Sequence, residues 1–297
     1  TAVDPNGDVE LVSVQLEYVI DGNLDDITVV DMNNPNENNY SAEIPGQGDG
    51  TSVWYRIRVV NAEEAESLRP ENWWYSYMVR PEGGLLIHDI QFRPPEWTAT
   101  DYSPYKDIEV TVTGIVTTPL EFADEFGAYA IQEADTFWSG VMIRNVADLE
   151  MGDVVTVTGT VRERDEDDPD KWGFMTYIDV DDVEIVGNDD VPDPMMVAIE
   201  DLKFSTHAEH LEGMLIEIGY AEVDTLDVAP EMEGIYYPIT DAGGEIENEG
   251  WMTTYGLPGD AQDELWYLRQ GMRFIFLIGV FVENQAYAIA PRFYEDI

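Results

Sequence analysis

Two stretches of this chain carry one pattern, and that repetition constrains the fold more than any other feature. The first reads Ile108-Glu-Val-Thr-Val-Thr-Gly114, then Gly127-Ala-Tyr-Ala-Ile-Gln132. It continues through Leu149-Glu-Met-Gly152-Asp-Val-Val-Thr-Val-Thr-Gly159 and closes near Asp182-Val-Glu-Ile185. The second reads Met214-Leu-Ile-Glu-Ile-Gly219, then Gly234-Ile-Tyr-Tyr-Pro-Ile239. It continues through Leu268-Arg-Gln-Gly271 into a long apolar run ending at Gly279, and closes at Glu295-Asp-Ile297. Each copy is a strand ending in glycine, a hairpin-like pair, a "Leu-x-x-Gly" entry into a long strand, and a closing strand. Five strands with glycine bends in the first and fourth predict a small Greek-key barrel.

Alternating β-branched and aromatic runs also fill the rest of the chain, as in Val9 to Ile20, Ser52 to Val60 and Val154 to Arg164. Helical periodicity is confined to Asn61 to Leu68 and Ile199 to Leu211. Breaker clusters at Arg80-Pro-Glu-Gly-Gly84 and Gly187-Asn-Asp-Asp-Val-Pro-Asp-Pro194 divide the chain into 1–83, 84–190 and 195–297.

The first barrel-like copy resembles the OB-fold modules of secreted bacterial proteins, which stand beside extracellular nucleases or other surface domains. Val110-Thr-Val-Thr-Gly-Ile-Val116, Tyr129-Ala-Ile-Gln132, Trp138-Ser-Gly-Val141 and Gly152 to Gly159 carry that resemblance. The second copy departs from it between Glu245 and Glu264. The N-terminal stretch resembles Ig-like or fibronectin-III-like modules, through Leu16-Glu-Tyr-Val-Ile20, Tyr40-Ser-Ala-Glu-Ile-Pro45 and Asp49 to Ile57. The implied architecture is all-β, an Ig-like β-sandwich followed by two OB-like Greek-key barrels. The resemblance implies secretion to the extracellular space or cell surface. The first residue is Thr1 with no basic-then-apolar leader after it, which fits a mature exported chain. The terminal Pro291-Arg-x-x-x-Asp-Ile297 pattern resembles the segment that precedes a C-terminal sorting domain.

Charge narrows the partners. Asp and Glu number 62 against 14 Lys and Arg, a formal net charge of −48. Nucleic acid is bound by placing cations on phosphates, so DNA and RNA are excluded as partners. The longest apolar run, Phe274 to Val282, is far short of the roughly 18 residues that a membrane-spanning helix needs, so membrane insertion is not expected. With no cysteine there are no disulfides, thiolate metal sites or thiol nucleophiles. Self-repulsion among the carboxylates should relax as salt or bound cations accumulate.

Candidate chemistry is sparse. Asp4-Pro-Asn6-Gly-Asp8 sets oxygen ligands at alternate positions around a turn, as calcium loops do, so Asp4, Asn6 and Asp8 read either as a calcium site or as a solvated acidic turn. Arg164 to Asp170 offers the same two readings. His207-Ala-Glu-His210 reads as a chelating pair or a solvated helix end. Ser139 sits on a turn without the surroundings of a nucleophile elbow.

OB folds bind ligands on the face of strands two and three, between the loops that join strands one–two and four–five. Here the first loop carries Glu121, Asp124 and Glu125, and the second Asp165 to Asp170. Tyr129, Phe137, Trp138 and Trp172 read either as a stacking surface for a neutral polysaccharide or as packed β-surface. Trp73-Trp74-Tyr75 reads as strand core or module contact. The sequence thus points to a non-enzymatic structural or adhesive surface protein that self-associates as a homo-oligomer, filament or sheath. The alternative is a carbohydrate-binding accessory region of a larger secreted hydrolase or nuclease.

Overall fold

A computed structural model describes residues 11–36, 39–62, 65–69, 74–81, 84–93, 102–163, 175–202, 208–224, 236–241, 250–257, 268, 270–284 and 286–297. The chain divides into two compact units, residues 1–85 with 93–104, and residues 86–92 with 105–297. No described helix is long and apolar enough to cross a membrane.

The first unit is built on two ten-residue strands, β1 (Leu11–Ile20) and β5 (Ser52–Asn61), paired antiparallel. A short strand, β2 (Thr28–Asp31), flanks β1. The hairpin of β3 (Asn33–Asn36) and β4 (Asn39–Ser41) stands apart as its own ladder. Two strands, β6 (Glu66–Arg69) and β7 (Tyr75–Met78), share the far side of β5.

Alternation decides the faces of this sheet. Register sets Tyr18 beside Tyr55 and Tyr55 beside Tyr75 on one face. Val19, Trp54 and Trp74 form a buried cluster on the other, where the Arg56 guanidinium lies 4.2 Å above the Trp74 ring and 2.7 Å from Glu17. The helix expected over Asn61 to Leu68 is instead a hairpin: Val60 pairs with Glu66, and the Asn61 side chain accepts the Ala65 N–H. Pairing with the long β5 outweighs the weak local periodicity. Among the described residues the unit is one five-stranded sheet beside the β3–β4 ladder. A second layer for an Ig-like sandwich is not among them.

The second unit holds both copies of the repeat. A short helix, α1 (Ile87–Gln91), precedes β8 (Glu109–Val116). Then come α2 (Leu120–Phe126), β9 (Tyr129–Gln132), β10 (Gly140–Arg144), β11 (Asp153–Arg162) and β12 (Tyr177–Asn188). These five strands close into a barrel in the order β10-β12-β11-β8-β9, with β10 and β12 parallel.

The second copy follows as β13 (Met195–Val197), β14 (Leu215–Ile218), β15 (Ala221–Val223) and β16 (Tyr236–Thr240). It is completed by β17 (Gly250–Thr253), β18 (Arg273–Phe274), β19 (Leu277–Asn284) and β20 (Ala286–Ala290). Here β14 and β15 are one strand interrupted at Gly219-Tyr220, and β18 and β19 one strand interrupted at Ile275-Phe276. Counted so, the pairings repeat those of the barrel: first with second, second with third, third with fifth in parallel, fifth with fourth, fourth with first. With β13 added in parallel beside β14, the eight strands form one sheet that curls as a half-barrel. Both copies are compatible with OB-like modules.

The glycine bends in the fourth strands have a steric cause. A Cβ on Gly159 would lie 2.3 Å from the Asp179 carbonyl, and one on Gly279 would lie 2.5 Å from the Ala290 carbonyl. Each fourth strand crosses its fifth at that point, closer than any side chain allows.

The two copies are joined by a common core. Strand β9 is buried along its whole length and β10 nearly so, which a strand facing water on one side cannot be. Tyr129, Ile131, Val141 and Ile143 alternate toward the barrel interior. On the other face, Ala130 and Met142 join Phe122 and Phe126 of α2 against Tyr236, Val280, Val282, Ala288 and Ala290 of the second copy. Gln132 on that face accepts the Leu215 N–H at 2.9 Å. Arg292 donates to the Thr117 carbonyl at 3.1 Å while held by Asp296. At Gly140 the backbones meet, and a Cβ there would stand 2.4 Å from the Gly213 carbonyl group and 2.5 Å from the Met214 nitrogen.

Backbone cannot swing aside as a side chain can. Gly140→Ala should therefore cost about 2 kcal/mol or more. Gly219→Ala, whose Cβ meets nothing within 4 Å, should stay within roughly 0.5 kcal/mol of the parent. Urea unfolding of the two variants checks both; equal stabilities would contradict the close approach.

Candidate functional site

The junction between the copies also gathers acids. A 3-10 turn, Glu209–Leu211, and the residue after it present Glu209 and Glu212, and β19 brings Glu283 to them. One carboxylate oxygen from each lies within 4.8 Å of the other two, and Glu209 and Glu212 are buried. Glu209 accepts the Tyr287 hydroxyl, and Glu212 accepts the Thr176 N–H. The Thr176 hydroxyl donates to Glu163 at 3.0 Å, which ties a fourth buried acid to the group.

Three oxygens so close and shielded from water repel one another unless a proton or a cation intervenes. An all-oxygen donor set suits a hard divalent ion such as calcium or magnesium, and Glu209, Glu212 and Glu283 are the residues that could hold one. The expected calcium ligands Asp4, Asn6 and Asp8 lie outside the described residues, as do Arg164 to Asp170.

Of the two histidines of the motif, only His210 is among the described residues; His207 lies outside them. His210 packs against aromatic rings, with Phe137 at 4.2 Å and Trp138 at 6.0 Å between centroids. Its carbonyl accepts the Trp138 N–H at 2.8 Å, and Trp138 holds that turn at φ +69°. Ser139 is buried in the same turn, its hydroxyl 2.9 Å from that of Thr136.

Of the aromatics considered for a sugar surface, Tyr129 is buried, while Phe137 and Trp138 are engaged with His210. Trp172 lies outside the described residues. On the outer face of strands two and three, Ala130, Gln132 and Met142 are covered by α2 and by the second copy of the repeat. Trp74 is sheet core beneath Arg56; Trp73 lies outside the described residues.

Another acid, outside the junction group, also acts on the backbone. Glu133, just past β9, accepts the N–H groups of Ile87 at 2.8 Å and His88 at 2.9 Å. It thereby caps α1, while Asp89 accepts the Leu86 N–H at 3.0 Å. Burial raises the Glu133 carboxyl above its ordinary value, against the two backbone N–H groups that lower it, and Asp89 raises it further.

Set beside known proteins, the chain matches no family model, no curated protein and no solved structure. Its fold and junction define a class only: an all-β protein with a closed five-stranded barrel and a curled half-barrel sheet on a common core.

The direction of the Glu133 shift has a consequence for pH. A carboxyl raised in the folded state binds its proton more tightly there than when unfolded. The stability it contributes is fully present below its unfolded value, near 4.5, and is lost as pH rises through the higher folded value. In paired urea titrations from acid to neutral pH, Glu133→Gln should gain on the parent as pH rises. A constant difference between the two would show that the carboxyl titrates alike in both states.

Proposed function

We propose that this chain is a non-enzymatic extracellular structural or adhesive protein that self-associates. The observation that carries this reading is the burial of β9 and β10 on both faces. The surface by which an OB-like barrel takes oligonucleotides or oligosaccharides is here the seam to the next copy of the repeat. Such a barrel acts as a stiff building unit. The excess of acids supports the exclusion of nucleic acid as a partner.

Contacts between copies at this charge must bury apolar surface, since the carboxylates push subunits apart. One exposed apolar patch suits that role. At the interruptions of the half-barrel sheet, Tyr220, Ile275 and Phe276 are 46%, 78% and 39% exposed. The outer strand of the first unit supplies another, with Val29 half exposed beside Ile27 and Leu24. Two different patches that meet head to tail generate an open assembly rather than a closed dimer.

The alternative reading, a carbohydrate-binding accessory region, draws support from one feature. Tyr75 and Tyr77 are exposed beside Tyr55, their ring centroids 5.3 and 6.2 Å from it. Aromatic faces of this kind stack on sugar rings.

Sedimentation velocity in rising NaCl separates the two. The parent should grow in size as salt screens its charge, and Ile275→Asp with Phe276→Ser should remain monomeric at every salt concentration. A parent that stays monomeric in molar salt, or a double variant that assembles like the parent, overturns the self-association reading. Retention of that monomer on insoluble polysaccharide, lost in Tyr77→Ala, would then establish the accessory module.

A further inference from the structure

The carboxylates at the junction are held together by the fold against their own repulsion. Glu212 is 2% exposed and Glu209 6%, and one oxygen of each lies within 4.8 Å of the other and of one from Glu283. Glu209 and Glu212 belong to the turn that delivers the chain into β14, and Glu283 to β19, which pairs with β14. Two donors from other elements fix them there. The Tyr287 hydroxyl of β20 donates to Glu209 Oε1, and the Thr176 N–H, at the start of β12, donates to Glu212 Oε1. The carboxylates cannot swing apart without giving up these bonds.

A second observation concerns the other oxygens of the same side chains. The Oε2 atoms of Glu209, Glu212 and Glu283 are each sealed from solvent, and among the described residues none of them accepts a hydrogen bond. An oxygen so placed has lost its hydration and gained no donor, which destabilises the fold. The buried Asp296 shows how this chain otherwise treats a buried acid, since both its oxygens accept from Arg292. At the junction the donors stop at Oε1. Three close carboxylates with sealed oxygens left over form the donor set of a hard cation, which satisfies the oxygens and cancels the repulsion together.

We propose that Glu209, Glu212 and Glu283 bind one calcium ion at the junction of the two copies. Calcium accepts the irregular, partly bidentate grip that carboxylates from a turn and a strand impose. Magnesium demands a near-ideal octahedron and gives up its waters reluctantly, which a site sealed from solvent does not suit. The first copy takes part through Thr176, whose N–H positions Glu212 while its hydroxyl donates to Glu163 at 3.0 Å. An ion that draws the three carboxylates together therefore steadies the contact of the turn and β19 with the start of β12. Every group involved belongs to one chain, so the site does not rest on self-association.

A chain of this charge attracts every cation weakly, so the test must separate a site from an atmosphere. The full chain is stripped of metal with a chelator and titrated with calcium chloride in about 0.5 M NaCl, where diffuse attraction is screened. Amide chemical shifts should change saturably, with the change centred on Thr176, Glu209 to Glu212 and Glu283. Magnesium should bind there at least about tenfold more weakly. Glu283→Gln, which keeps the shape and removes one charge, should weaken calcium at this site by about tenfold or more. It should also invert the order of stability at neutral pH. Without calcium the variant should melt above the parent, because one repelling charge is gone. With saturating calcium the parent should melt above the variant.

The shifts of the parent need no variant, so they decide the matter even if Glu283→Gln folds poorly. Saturable binding that leaves these amides unmoved would place the ion elsewhere, as in the acidic stretches Asp4 to Asp8 or Asp165 to Asp170, and overturn the proposal. Shifts spread over the whole acidic surface without saturation would overturn it too, and would mean that protons rather than an ion quiet the three carboxylates.

Discussion

Everything in the larger unit depends on the seam where Phe122 and Phe126 of α2 lie with Ala130 and Met142 against β19 and β20. Each of the two phenylalanines is wholly buried, and burial of one such side chain contributes about 1.5–3 kcal/mol. Their rings stack on each other at 5.0 Å, and Phe126 meets Tyr255 edge-on at 5.7 Å. The surroundings are shaped to them, since Gly256 leaves the space that Phe122 fills. Small residues let the facing sheets approach, with Ala130 on one side and Ala288 and Ala290 on the other. The polar crossings, Gln132 to Leu215 and Arg292 to Thr117, then fix the register of one copy on the other. Because the seam covers β9 and β10, it also determines which surfaces of the barrel remain for function.

Charge is managed around this apolar centre rather than within it. Among the described basic residues of the larger unit, Arg162 pairs with Asp107, Arg273 with Glu222 and Arg292 with Asp296. Many of the described acids stand on exposed faces, where a like-charged surface favours solubility at some cost to the compact state. Buried acids also occur, as in Asp89, Asp296 and the group at the junction. Glu163, Glu209 and Glu212 are buried, and with Glu283 they place negative charge beside the seam, where protons or cations weigh directly on the cohesion of the two copies.

Much of this architecture is legible in the residues. The repeated strand pattern anticipates both curled sheets, and Gly159 and Gly279 stand where the fourth strands must cross the fifth. What escapes is the seam. The run Pro119-Leu-Glu-Phe-Ala-Asp-Glu-Phe-Gly127 reads as an acidic loop when its carboxylates are counted. Folded, it is a helix that exposes Glu121, Asp124 and Glu125 and buries Phe122, Ala123 and Phe126. The signals were present: proline before, glycine in a left-handed cap after, and phenylalanines four apart. Seven residues are too few for periodicity to prevail over composition. The junction acids escape for another reason. In His207-Ala-Glu209-His210-Leu-Glu212 attention falls on the histidines, while the third acid, Glu283, is a strand residue remote in sequence. Only the pairing of β14 with β19 brings it near, and no local pattern reports a contact of that range.

The central claim is that the two copies of the repeat share one core and hold each other folded. Native-state hydrogen exchange across low urea concentrations tests it most directly, through the amides of Ile131 and Met142 in the first copy and Val280 and Ala288 in the second. A shared core predicts that all four converge on one opening free energy and one urea dependence. Two separate isotherms, with β19 and β20 still protected at urea concentrations where β9 and β10 exchange freely, would contradict it.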